Sequence, residues 1–262
     1  MTRVISFSSG KGGVGKTTLA TNLGCLWSKA QRKTLLIDGD WALGKLSLAY
    51  GLRPEWTIQT VLEGKKPLSE CVMRIDDHLD LLASPSGVMG FEELTEEQRN
   101  QLFFELDALG TKNYDRILID HSSGIHWGVL QFAAAAHQHV VVTTPEPTSY
   151  MDAYAIMKLL SKRFAIRDFW LVGALCTRLR EAERTLNKFM ETARTHLDVR
   201  VQLLELIPWD SRLIKSFGNK PFVDNYPNDL ITERLERVRS RLDFAEPKKF
   251  HGLQYFFDTI HS

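Results

Sequence analysis

Ser9-Gly10-Lys11-Gly12-Gly13-Val14-Gly15-Lys16-Thr17-Thr18 is the stretch on which the reading of this chain turns. From Gly10 it follows the pattern G-x-x-x-x-G-K-[ST], with an apolar run of strand length at 4–7 before it and a helical pattern at 16–30 after it. Each residue type meets a need of a phosphate ligand. Glycines reach positive φ and let the backbone come close, so successive N–H groups can point inward at anionic oxygens. Lys16 is placed to reach β and γ phosphates, Thr17 to put a hydroxyl on Mg²⁺, and the N-terminus of the following helix adds favourable potential for an anion. The residues Gly10 to Thr18 are therefore read as a nucleotide-binding loop for ATP or ADP with Mg²⁺. A glycine turn that merely joined strand to helix would need neither Lys16 nor Thr17.

Working outward, apolar runs of strand length recur at 34–37, 79–82, 117–119, 140–143, 170–175 and 203–207. Several are nearly continuous in Val, Ile and Leu, as a strand covered on both faces requires. Helical patterns lie between them at 96–109, 127–136, 149–164, 181–195 and 230–242. This alternation predicts an α/β fold with a doubly wound, mostly parallel sheet and helices on both faces. Such a sheet binds its ligand at the carboxyl ends of its strands. Every unusual polar cluster follows a strand: the glycine loop, Asp38 to Asp40, Asp120 to Gly124 and Thr144 to Thr148 are expected on one rim. We read residues 1–247 as one domain and 248–262 as a separate tail.

Composition narrows the classes. An apolar share of 44% and a charged share of 25% are those of an ordinary globular chain able to bury a full core. Lys and Arg total 33 against 32 for Asp and Glu, so no global field draws the protein onto nucleic acid, which is not an expected partner. Cys25, Cys71 and Cys176 are far apart and in apolar surroundings, and are read as buried thiols in a reducing cytoplasm. No stretch approaches the ~20 apolar residues of a membrane span.

Lys11 is an addition that an ordinary phosphate loop does not need. With it, Ser9 to Thr18 resembles the deviant Walker A motif of the MinD/ParA/nitrogenase-iron-protein superfamily. That resemblance implies an ATPase that pairs into a homodimer with ATP, in which Lys11 reaches the partner subunit's nucleotide. Lys11, Lys16 and a catalytic Asp40 are then the groups implied for hydrolysis. Leu35-Leu36-Ile37-Asp38-Gly39-Asp40 is similar to the family's switch I, where Asp40 positions the attacking water and Asp38 supports the metal shell. Asp120, after Arg116-Ile117-Leu118-Ile119, resembles a Walker B carboxylate that holds Mg²⁺ through water. Relatives continue with small residues, whereas this chain has His121-Ser122-Ser123-Gly124. His121 either retunes switch II or is an inert, outward-facing substitution. No cysteine pair is placed to bridge a cluster, which argues against the nitrogenase-iron-protein branch.

Thr143-Thr144-Pro145-Glu146-Pro147-Thr148-Ser149, leading into Asp152-Ala153-Tyr154, looks very like the matching stretch of FlhG/FleN, the MinD-like ATPases that set flagellar number and placement. Locally, Thr148 or Ser149 would cap the next helix and the prolines would fix its entry. Gly124, Glu146 and Asp152 are assigned with Lys11 to the switch and dimer face, Glu146 and Asp152 as electrostatic partners for Lys11. Adenine contacts are expected from Thr177 and Arg178 and from Pro208 and Asp210, in loops where MinD-like proteins border the base. The resemblance also implies partners such as an FlhF-type GTPase and flagellar regulators or switch proteins. The chain enters its first strand within three residues of Met1, so the N-terminal Gln-containing helix by which some relatives stimulate FlhF is not expected to act here.

In the tail, Phe250, Leu253, Phe257 and Ile260 stand at helical spacing with Phe256 beside them, behind Lys248 and Lys249. This is the pattern of a short amphipathic helix able to lie weakly in the inner face of the cytoplasmic membrane, or to dock on the protein's own body. The expected location is the cytoplasm with peripheral membrane association. Other readings stay open from residues alone: a MinD-like division-site regulator, a ParA-like partitioning ATPase, or a module that binds nucleotide without turning it over.

Overall fold

The computed structural model describes residues 2–41, 43–84 and 94–245, with no side-chain description at 110–112. Strands β1 (Arg3–Ser8), β2 (Thr34–Gly39), β3 (Val72–Arg74), β4 (Leu79–Leu82), β5 (Arg116–His121), β6 (Gln138–Thr143), β7 (Asp168–Cys176) and β8 (Arg200–Pro208) form one eight-stranded sheet in the order β3-β4-β2-β5-β1-β6-β7-β8. All neighbours pair in parallel except β3 with β4. The expected doubly wound, mostly parallel sheet is therefore present, with β3 as an antiparallel edge that the apolar pattern did not reveal.

Alternate residues of each central strand enter cores on opposite faces, which is why the strands read as continuous apolar runs. Ile5, Phe7, Leu36, Leu118, Val140 and Val142 pack under helix α1 (Lys16–Lys29), whose Leu19, Leu23 and Trp27 share that core. Helix α11 (Leu230–Phe244) covers the same face through Ile231, Leu235, Val238 and Leu242. On the other face, Val4, Leu35, Ile37, Ile117 and Ile119 meet Leu102, Phe103 and Leu106 of α5 (Glu96–Asn113). Further along that face, Val141, Phe169 and Leu171 lie beneath α7 (Pro147–Phe164) and α8 (Leu179–Leu197). Trp27, Phe7, Ile5, Leu23 and Leu36, all large and fully buried, belong to the α1 side. Each contributes about 1.5–3 kcal/mol of burial free energy, so the helix that carries the glycine loop is firmly seated.

Strand β1 lies between β5 and β6, and chain order runs in opposite directions on its two sides. A crevice opens where the order reverses. The Gly10–Thr18 loop leaves β1 at that place. Cys25, Cys71 and Cys176 are buried free thiols. Among the described residues no helix is long and apolar enough to cross a membrane. Phe250, Leu253, Phe256, Phe257 and Ile260 lie outside the described residues.

Candidate functional site

Left-handed backbone shapes the loop at Gly13 (φ +77°) and Gly15 (φ +95°), and no atom lies within 4 Å of where a Cβ would stand at either one. The space is open and only the dihedral excludes a side chain. Gly10 is glycine for the opposite reason, because its added Cβ would sit 2.2 Å from Asp152 Cβ. The first turn of the loop is thus pressed against helix α7. Lys16 stands at the start of α1, 6% exposed, and its Nζ donates to Ser9 Oγ at 2.7 Å and to Ser123 Oγ at 3.0 Å. Burial lowers the Lys16 pKa, with the Asp120 charge opposing that shift. A buried ammonium whose acceptors are two neutral hydroxyls is poised for an anion.

Parallel pairing of β2 with β5 sets Asp38 directly beside Asp120. Thr17 Oγ1 donates to Asp120 Oδ2 at 2.6 Å, while Asp120 Oδ1 is buried without a hydrogen-bond partner. Burial pushes Asp120 up to about 6, against the opposing pull of Lys16 and the Thr17 hydroxyl. Asp38 is pushed up to about 8, first by burial and then by the neighbouring Asp120. Two adjacent buried carboxylates, one with an orphaned oxygen, and a threonine hydroxyl form an oxygen donor set that fits a small hard cation. Magnesium bound there would supply positive charge to phosphate oxygens. Among the described residues no group of three His, Cys, Asp or Glu gathers to hold a metal by itself.

The same carboxylates shape the loop after β2. Asp38 accepts from the backbone N–H groups of Asp40 at 3.0 Å and Leu46 at 2.8 Å, which folds this loop over the strand end. Asp40 is buried and accepts from Lys45 Nζ at 2.7 Å. After β5, Gly124 takes φ +111° and its N–H donates to the Ser9 carbonyl at 3.0 Å, so this turn closes onto the glycine loop. His121 does not face outward. It is 2% exposed, edge-on to Phe132 at 6.1 Å between ring centres, and burial pushes it down to about 3, which keeps it neutral.

On the outer side of the rim, Lys11 Nζ meets Glu146 Oε2 at 2.9 Å, while Asp152 packs against Gly10. The helix entry differs from the expected cap. Glu146 is the N-cap residue and Pro147 the first residue of α7, because the backbone N–H groups of Ser149 and Tyr150 already donate to the Glu146 carbonyl. The Ser149 hydroxyl instead turns back, accepting from Thr144 N at 3.0 Å and bonding Thr143 Oγ1 at 2.9 Å.

Beside Gly13, Gly15 and Thr18 lies a cavity whose far wall includes Leu175, Trp209 and Ile214. The loops after β7 and β8 are tied by Trp209 N–H donating to the Cys176 carbonyl at 3.1 Å. Thr177, Arg178 and Asp210 lie on these loops and Pro208 is the last residue of β8, and the walls of the cavity are formed by their neighbours Leu175, Ile207 and Trp209 and not by these four. Arg178 pairs with Glu181 at 3.3 Å, Pro208 ends β8 opposite Cys176, and Asp210 caps the short helix α9 (Ser211–Lys215) while pairing with Arg212 at 2.7 Å. Ser9, Ser123, Lys45 and Trp209 were not singled out from sequence. Ser123 and Lys45 sit within reach of residues that were, but only the folded chain shows the bonds.

The AAA_31 family model, described as an AAA domain, matches residues 2–165. The antiactivator FleN of Pseudomonas aeruginosa PAO1 is 27% identical, with 98% of this chain and 93% of FleN covered. The chain belongs to the MinD-like P-loop ATPases. As a member of this family it is an ATPase. The flagellum site-determining protein YlxH of Helicobacter pylori is 26% identical over 99% of this chain and 90% of its own length. The septum site-determining protein MinD of Pyrococcus horikoshii, solved as its complex with Mg-ADP, superposes with a TM-score of 0.72 at 26% identity, covering 93% of this chain and 97% of that one. Nucleotide and Mg²⁺ binding is thus a property of the family to which the crevice beside β1 belongs.

Proposed function

We propose that this MinD-like ATPase is a dimerising switch that regulates flagellar number and placement, binding the membrane and partner proteins when loaded with ATP and resetting by slow, partner-stimulated hydrolysis. The observation that carries the flagellar part is the near end-to-end correspondence with FleN and YlxH, joined to the Thr143–Ser149 stretch that resembles FlhG/FleN. In this reading the amides of Gly10 to Thr18 and the Lys16 ammonium hold the phosphates, and Thr17, Asp38 and Asp120 support Mg²⁺. Asp40 orients the attacking water and Lys11 reaches the sister subunit's nucleotide. Catalysis is positioning plus electrostatic stabilisation of the transferring phosphoryl group. Thr177, Arg178, Pro208 and Asp210 border the base, and Gly124, Glu146 and Asp152 belong to the switch and dimer face. The partners are an FlhF-type GTPase and flagellar regulators, and the tail from Lys248 is the weak membrane anchor, favoured in a two-tailed dimer through effective concentration.

Gel filtration with ATP, ADP or no nucleotide tests the switch. An ATP-specific dimer that Lys11→Ala abolishes is expected, and monomers under every condition would contradict the proposal. Phosphate release should fall by about 10²-fold in Asp40→Ala while Mg-ADP affinity stays within about threefold. Deleting the gene in its host and counting flagella tests the biology. Extra or misplaced flagella are expected, whereas normal flagella with misplaced septa would favour the division-site role that the MinD neighbours carry in their names.

A further inference from the structure

The turn after β5 offers the Lys16 ammonium a hydroxyl, and that contact has a direct chemical consequence. Lys16 is buried, and the bonds from its Nζ run to Ser9 Oγ at 2.7 Å and Ser123 Oγ at 3.0 Å. Ser9 opens the glycine loop, but Ser123 comes from the far side of the crevice, beyond β5. Its Oγ lies 3.7 Å from the Cβ position of Gly12, over the mouth of the loop, and the adjacent Gly124 N–H is tied to the Ser9 carbonyl at 3.0 Å. A serine hydroxyl both accepts and donates. It can accept from the ammonium in the ligand-free protein and donate to a phosphate oxygen once a ligand takes the ammonium over. An aliphatic side chain at this position could do neither.

We infer that Ser123 is a specificity-determining residue that distinguishes nucleoside triphosphate from diphosphate, its hydroxyl holding Lys16 until a third phosphate takes over both groups. The inference rests on the nucleotide-binding reading of the glycine loop. A diphosphate draws Lys16 away from Ser123 and returns nothing to the hydroxyl, so the lost bond counts against binding. A triphosphate extends toward the same turn and returns an acceptor to it. Ser123 thus penalises the shorter ligand and spares the longer one.

Calorimetry on the full chain with Mg-ADP and with a Mg-loaded, non-hydrolysable ATP analogue tests this without measuring turnover. Ser123→Ala should bind Mg-ADP about threefold to fivefold more tightly, the size expected for one hydrogen bond lost from the free protein alone, and the analogue with nearly unchanged affinity, because there the bond is lost from both the free and the bound protein. The ratio of the two affinities therefore falls by about threefold to fivefold. Ser123→Thr, which keeps the hydroxyl, should hold the wild-type ratio, and that variant separates a lost hydroxyl from a disturbed turn. Equal shifts for both ligands in Ser123→Ala, or no shift, would overturn the inference while leaving the site reading intact. Wild-type protein that binds neither ligand would overturn the site reading itself.

Discussion

Lys16 and Lys11 share one motif and occupy opposite environments. Lys16 is 6% exposed, hydrogen-bonded to two hydroxyls and close to the charges of Asp120 and Asp40. The Lys11 side chain is 46% exposed and meets a still more exposed Glu146. A surface pair of this kind contributes about 0–1 kcal/mol, so Lys11 can exchange Glu146 for another anion at little cost. Lys16 cannot leave its pocket without stranding a buried charge, which commits it to whatever ligand enters the crevice. The inner floor of the rim is built for retention, and the outer ridge for exchange.

Three substitutions press on that contrast. Lys16→Ala should have the largest effect, lowering phosphate release by about 10²- to 10³-fold or more, as the proposed role of this charge toward the transferring group requires. Calorimetry should show Mg-ADP binding lost with it, and retained binding with normal turnover would break the contrast at its inner end. Gly10→Ala comes next, because its Cβ would stand 2.2 Å from Asp152 Cβ and force the loop away from α7. A loss of about 1–3 kcal/mol in urea unfolding is expected, the usual range for overpacking, and an unchanged midpoint would show that the loop is not braced there. Glu146→Gln should have the smallest effect, changing monomer stability by less than about 1 kcal/mol. It should leave the proposed ATP-dependent dimer equally strong or slightly stronger by light scattering, since it only frees Lys11. A dimer lost in Glu146→Gln would mean that the pair is structural and the exchange idea wrong.

The parts of this molecule that could be read directly from residue order are those whose physics is local or periodic. Strands β1, β2, β4, β5, β6, β7 and β8 carry apolar side chains into the cores and so stand out as apolar runs, several of them nearly continuous. The glycine loop is legible because a phosphate chain demands glycine, lysine and threonine at set spacings. Edge strand β3, Val72-Met73-Arg74, is only half-buried and antiparallel, so nothing in its composition marks it. The short helices such as α9 span too few residues to show a period. At the helix entry, the presence of Ser149 suggested a cap, but Pro147 had already started α7 and the Ser149 hydroxyl was free to turn back to the preceding loop.

Within the site the division is equally physical. Lys11, Lys16, Thr17, Asp38, Asp40 and Asp120 were legible because each ends a strand or belongs to the loop motif. Nothing in the order of residues could show that Ser123 bonds Lys16, that Asp152 fills the space beside Gly10, or that His121 turns inward against Phe132. Sequence by itself determined a parallel α/β sheet and a phosphate-gripping loop, because burial on two faces and anion binding each require particular residues at fixed short intervals. Tertiary structure alone decided which hydroxyl, carboxylate and helix meet that loop. Those contacts join segments more than a hundred residues apart, as in the Lys16–Ser123 bond at a separation of 107, and they exist only once strand order has brought the segments to one rim.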